Sequence, residues 1–298
     1  MKHILPPDTS LPKQEAVAPS GELARFSISL DAWYPIVSKL VPTPKTIIVR
    51  AAADLAKIAY GDEVDEVVEA AFRDVVIRVR DAGNALGWPV FLRSGYGSAK
   101  HDWQNTCFLA RPSDVEAHLN AIIEWSEVVD ILGLPSDVWA VREMLDVPFA
   151  FRAFRGSMPI SRERRYFVVD GHVVGHHPYW PPEAFLKEQD DIFYDGESEP
   201  RTFVQESIDG IPDNWRGLLD QMNTETPGEV AELTALCELV GRAISGAWSV
   251  DWLWAGSRDD HVPRWYLTDM AWAERSFVWW DHPSAPPRTV FGGSPNEG

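Results

Sequence analysis

The stretch Ser249–Trp272, SVDWLWAGSRDDHVPRWYLTDMAW, constrains this chain more than any other. Two runs rich in Trp, Tyr, Val and Leu flank a polar, turn-rich segment from Ala255 to Arg264, the pattern of two antiparallel strands joined by a long hairpin loop. Each run carries one carboxylate that breaks its apolar pattern. With the hairpin folded about a midpoint near Asp260, Asp251 falls opposite Asp269. Cross-strand Cβ atoms lie about 5 Å apart, where two like charges repel unless something positive sits between them. A divalent cation with oxygen ligands, Mg²⁺ carrying phosphates, suits that position. The plainer alternative is that both side chains turn to water.

Composition narrows the field. Acidic residues number 45 against 27 basic, a net charge of −18, which argues against general binding to nucleic acid or to an anionic membrane. A small anionic ligand would therefore need a local basic pocket. No run approaches the roughly 18 apolar residues of a membrane span, and Met1–Ser20 lacks the apolar core of a signal peptide, so a cytoplasmic protein is expected. Cys107 and Cys237 match no metal spacing and read as buried free thiols.

In chain order, residues 1–25 hold four prolines among polar neighbours and are expected to form a disordered lead-in. Phe26–Leu30 alternates like a strand, and Thr46–Arg50 is a short strand after Pro42 and Pro44. Asp62–Leu86 has apolar residues at helical spacing and ends at Gly87, an amphipathic helix covering a sheet. The strand Pro89–Arg93 delivers a glycine-rich loop, Ser94–Lys100, of the kind whose N–H groups can approach phosphate oxygens, and two cations, Arg93 and Lys100, bracket it. An ordinary strand-end turn is the alternative, since neither a P-loop nor a dinucleotide fingerprint is present. Cys107–Ala110 is another strand, Ser113 and Glu116 form a capping box for a helix to about Leu132, and Val138–Leu145 is a buried strand ending at Asp146.

Arg152, Arg155, Arg162, Arg164 and Arg165 reverse the local charge of an acidic chain. Guanidinium forks suit phosphate and carboxylate oxygens, while a solvated face balancing nearby acids is the alternative. Glu163–Val169 alternates, Asp170-Gly171 is a two-residue turn, and His172–Gly175 returns. Period two separates Arg165 from Arg164, and likewise turns His176 and His177 to opposite faces, which marks them as structural. Pro178–Pro227 reads as a loop-rich, solvated excursion, and Thr226 and Glu229 form a second capping box opening a helix to about Ser245.

A basic strand end with a glycine-rich loop, a strand ending in Arg142-Glu143, the hairpin Arg162–Gly175, then a helix and a hairpin with two acidic residues together resemble the ATP-grasp superfamily. The likeness runs from about Thr46 to Asp281. Trp33-Tyr34-Pro35, Arg93 and Lys100 are similar to the branch holding phage-associated amide ligases and a translation-initiation-factor assembly chaperone.

The resemblance implies an α+β ATP-grasp fold whose two lobes, 26–142 and 143–282, hold ATP between antiparallel sheets, with a loose tail at 283–298. It implies that Arg93 and Lys100 hold ATP phosphates, that Glu143, Met144 and Leu145 meet the adenine, and that Asp146 lies near the ribose. Arg165 would hold the γ-phosphate and the acyl phosphate, with Arg165 and Lys100 catalytic and Asp251 and Asp269 binding Mg²⁺. Two positions depart from the family pattern: Arg93 replaces the usual lysine, and Ala271 stands where an Asn ligand is usual, with Glu274 a candidate substitute. The implied activity is ATP-dependent ligation of a small-molecule or peptide carboxylate to an amine through an acyl phosphate, which needs no nucleophilic triad. The branch also admits an ATP-binding assembly factor that closes on a protein partner without ligation.

Overall fold

The apolar stripe of the first long helix decides where the first sheet lies. The computed structural model describes residues 28–60, 65–128, 136–185 and 210–291. Helix α1 is Leu30–Val37 and helix α2 is Glu66–Leu86, whose N-cap Asp65 accepts from the Val67 N–H. α2 buries Val68, Ala71, Val75, Val76 and Val79, a face repeating every three to four residues. That face and α3 (Val115–Val128) cover a four-stranded antiparallel sheet in the order β1-β4-β2-β3, with β1 Thr46–Arg50, β2 Val90–Ser94, β3 Phe108–Leu109 and β4 Val138–Glu143.

A second four-stranded antiparallel sheet runs β10-β9-β7-β8, with β7 Glu163–Val169, β8 His172–Pro178, β9 Ala247–Ala255 and β10 Arg264–Trp272. Helix α5 (Pro227–Ala243) packs on it, and Leu233, Cys237 and Val240 share a core with Tyr166, Val250 and Trp252. Gly241 permits that close approach: a Cβ there would stand 2.6 Å from Val168 Cγ1. Helix α1 joins this second core through Leu30, Trp33 and Val37. The strands β5 (Phe149–Ala153) and β6 (Met158–Ser161) form a separate two-stranded hairpin.

Several expectations are corrected. Leu30 opens a helix, not the end of a strand, because α1 buries Leu30, Trp33 and Val37 at helical spacing. The Ser113 capping box does not form: Ser113 Oγ bonds the Asp114 carboxylate, Arg111 takes the same carboxylate, and a 3₁₀ turn Pro112–Asp114 leads into α3 instead. The Thr226 cap does form, its Oγ1 accepting from Glu229 N–H at 3.2 Å. The described parts of the supposed excursion are packed, since Trp180, Phe185, Trp215 and Leu219 are buried with Phe151 and Ile160, and Trp215–Asn223 is a helix, α4. The expected lead-in and the end of the tail lie outside the described residues, as does the C-terminal end expected for α3. Both cysteines are buried free thiols, and burial pushes Cys107 up to about 12.

β8 holds the segment after β10 through a buried histidine. His177 donates from Nδ1 to the Pro178 carbonyl at 2.7 Å and accepts at Nε2 from the Trp279 N–H at 3.2 Å, so both nitrogens are committed in the neutral ring. Burial, with Arg165 and His282 nearby, pushes its pKa down to about 4. Between the ordinary value of about 6.5 and about 4, the unfolded chain binds the proton and the folded chain does not. Stability present above pH 6.5 is therefore expected to fall, by on the order of 3 kcal/mol, as the pH drops towards 4. Denaturant midpoints at pH 7.5, 5.5 and 4.5 measure this, and His177→Gln should flatten the slope. An unchanged slope in the variant would show the effect to lie elsewhere.

Candidate functional site

The two sheets face each other across a cleft of about 890 Å³, including the space open to solvent, and residues of six strands, β2, β4, β6, β7, β9 and β10, line it. On the second sheet, Arg165 of β7 pairs in register with Asp251 of β9, and Asp251 pairs with Asp269 of β10, so the three stand in one row. The pairing of Asp251 with Asp269 read from the sequence is the observed one, while Arg264–Leu267 pair one residue out of step with it. The two carboxylates are not left facing each other. Asp251 takes both arms of Arg165, at 2.7 and 2.8 Å, and Asp269 takes Arg93 Nη1 of β2 at 2.8 Å. The second of these pairs ties one sheet to the other.

Lys100 is the third cation. Its ammonium lies 3.3 Å from Glu163 Oε2 and over the rings of Tyr179 and Trp180, at 3.9 and 4.7 Å from their centroids. Burial alone would lower its pKa, but Glu163 and the Tyr179 hydroxyl more than reverse this, and the group is raised and stays protonated. Arg165 is likewise raised: burial opposes the charge, and Asp251 outweighs it. Glu163 is fixed in turn by the Trp180 indole N–H at 2.8 Å.

The glycine-rich loop serves packing more than presentation. Gly95 is wedged where a Cβ would meet Ser29 Oγ at 2.5 Å, and Ser94 Oγ accepts the N–H groups of Tyr96 and Gly97. Those two donors are thus spent inside the loop, and from it only Ser98 and Lys100 line the cleft. At the other end, Glu143 closes β4, its carboxylate accepting from Lys45 N–H at 2.8 Å, while Met144 and Leu145 line the cleft. Asp146 exchanges two main-chain hydrogen bonds with Gly256, at 2.9 and 2.8 Å, and its exposed carboxylate lies beside His261, away from the cleft lining. The tip of the β9–β10 hairpin reaches further: Arg258 donates to the carbonyls of Gly87 and Pro89, at 2.6 and 2.8 Å.

Among the described side chains of the arginine cluster, only Arg165 bears on the cleft, through Asp251 and Tyr179. Arg162 and Arg164 both bind Glu229, Arg152 lies exposed over Phe149, and the side chain of Arg155 falls outside the described residues. Alternation explains the division, since neighbours in β7 face opposite sides. His176 stacks on Tyr166 and meets Glu225, and Glu274 is exposed on a turn after β10. Among the described residues, no three His, Cys, Asp or Glu side chains gather as a metal site, and no helix is long and apolar enough to cross a membrane. Sequence reasoning missed Arg142, Glu163, Tyr179 and Thr268. Glu163 carried a signal, since it shares the alternating face of Arg165.

Residues 85–261 match a family model described as ATP-grasp domain, R2K clade family 3. No curated protein matches the chain. Similar solved structures include C-terminally truncated Cdc123 from Schizosaccharomyces pombe, 14% identical with a TM-score of 0.45, covering 83% of each chain. They include D-alanine–D-alanine ligase from Bacillus anthracis complexed with ATP, 11% identical with a TM-score of 0.37, covering 82% of this chain and 54% of that one. A RimK domain ATP-grasp protein from Sphaerobacter thermophilus is 13% identical with a TM-score of 0.36, covering 83% of this chain and 58% of that one.

Proposed function

This chain belongs to the ATP-grasp domain family, R2K clade family 3, with the α+β ATP-grasp fold, and from that premise we propose that it is an ATP-dependent carboxylate–amine ligase. One observation carries the reading. Arg93–Asp269, Arg165–Asp251 and Lys100–Glu163 bring three cations and three carboxylates together at one cleft. Such a row of ion pairs is expensive as scaffolding, because each buried ion loses its hydration. It suits a ligand that carries both signs, a polyphosphate with a divalent cation, which can take the cations with its oxygens and the carboxylates with its metal.

The residues fit such a group. Asp251 and Asp269 offer hard oxygen donors from adjacent strands, and the cleft wall holds a buried guanidinium nitrogen, Nη2 of Arg142, with no acceptor. Bound Mg²⁺ would neutralise charge on the transferring phosphoryl group. Arg93, Arg165 and Lys100 would hold phosphate oxygens in line with the acceptor carboxylate, and the Glu143–Leu145 main chain would meet the base. The γ-phosphoryl group passes to the carboxylate, an amine then displaces phosphate, and the amide forms. The protein's work is positioning and charge stabilisation, with 26–142 and 143–282 acting as jaws that keep water from the acyl phosphate.

The deciding experiment is a calorimetric titration with a non-hydrolysable ATP analogue, with and without Mg²⁺. Binding that depends on the metal is expected, followed by ADP release in a screen of carboxylate and amine pairs. Absence of binding in both conditions would end the nucleotide reading. Binding without ADP release for any pair would favour the assembly-factor alternative over ligation.

A further inference from the structure

Arg93 and Arg142, from neighbouring strands of the first sheet, are each about 3% exposed and line the same cleft wall. A buried cation needs a counter-charge or a full set of acceptors. Arg93 has Asp269. Arg142 donates from Nε to Thr46 Oγ1 at 3.2 Å and from Nη1 to the Thr268 carbonyl at 2.6 Å, both uncharged, and its Nη2 meets no acceptor. Burial and the repulsion of Arg93 push its pKa down to about 10, the mark of a positive charge short of neutralisation.

Thr268 is not an arbitrary partner. Leu267 of β10 pairs with Trp252 and Asp269 with Asp251, so Thr268 is the extra residue of a bulge. The bulge is what sets Asp269 opposite Asp251, and Arg142 satisfies the carbonyl at its apex. One guanidinium thus reaches the bulge with one nitrogen and leaves another buried without a partner, in a residue that lines the cleft.

On the nucleotide reading above, we infer that Arg142 is an anion ligand, giving its Nη2–H to a phosphate oxygen while Nη1 fixes the Thr268 carbonyl and with it Asp269. The same side chain then sets a phosphate and a metal-ligating carboxylate at a fixed separation. Lysine cannot do this, since a single ammonium lacks the planar fork that spans two acceptors.

Titration of the full chain with ADP and with adenosine, in the presence of Mg²⁺, tests the assignment on wild type, Arg142→Lys and Arg142→Met. Arg142→Met is expected to weaken ADP about 10- to 100-fold, the range for a hydrogen bond to a charged group, and adenosine less than about 3-fold. Arg142→Lys should fall between. Equal losses for ADP and adenosine would assign Arg142 to the base or to packing, and unchanged ADP affinity would exclude the contact; either overturns the inference. Should Arg142→Met lose its cooperative unfolding transition, Arg142→Lys carries the test, with about a 10-fold loss for ADP alone expected. Wild type that binds neither ligand overturns the nucleotide reading and this inference together, whereas wild-type binding with unaffected variants overturns only the role of Arg142.

Discussion

Glu229→Ala is expected to destabilise the fold by about 3–5 kcal/mol, the cost of breaking a buried ion pair by removing one partner. Arg164 is fully buried, and Glu229, 5% exposed at its side chain, takes its Nε at 2.6 Å and also binds Arg162. Glu225 remains 3.5 Å away, and the carbonyls of Glu163, Met222 and Thr224 take the other guanidinium hydrogens. Carbonyls satisfy donors but do not cancel charge, and burial already pulls the Arg164 pKa down against the pull of Glu229. The loss corresponds to a fall in melting temperature of about 5–8 °C for a chain of this length. Urea unfolding measures it. Glu229→Gln, which keeps an acceptor, should lose less, and a loss below about 1 kcal/mol in Glu229→Ala would show that Glu225 suffices.

Asp269→Ala is expected to remove the Mg²⁺ dependence of nucleotide binding and to lower turnover at least about 100-fold. Loss of an outer-shell partner alone costs 10- to 100-fold in metal affinity or activity, and a ligand costs no less. The variant has a second, opposite consequence. Asp269 is the counter-ion of Arg93, so its removal frees a buried guanidinium for phosphate, and metal-free nucleotide binding should be retained or tightened. Arg165→Ala should lose both, because it removes the cation and leaves Asp251 without its two-armed partner. Calorimetry with and without Mg²⁺ separates these cases. An Asp269→Ala protein whose affinity still rises with Mg²⁺ would sink the metal assignment.

The sequence made the local pairings legible and hid the distant ones. The Asp251–Asp269 pairing is readable because both strands and their loop lie within twenty-six residues, each with its own apolar run. The partnership of Arg165 with Asp251 is not, since nothing in an alternating strand says which strand 86 residues away will lie beside it. The bulge at Thr268 was hidden for a related reason: a one-residue slip is set by the neighbour across the ladder and by Arg142 from another sheet, not by a glycine or proline at the site. Gly95 misled in the other direction. A glycine near two cations suggested phosphate, and the space beside it is taken by Ser29 and Val138. The Pro178–Pro227 segment looked solvated because prolines and acids dominate its composition, while Trp180, Phe185 and Trp215 converge only in three dimensions.

Much of the joint between the β9–β10 tip and the residues it meets is written in main-chain groups. Asp146 and Gly256 exchange amide hydrogen bonds, and Arg258 is received by carbonyls that every residue possesses. Mutational sensitivity there is lopsided: a change of side chain at Asp146 leaves both of its main-chain bonds to Gly256 in place, while the guanidinium of Arg258 has no substitute. The segment Glu143–Leu145, the one that would hold a base through its own backbone, is therefore anchored at Asp146 by the same sequence-blind chemistry.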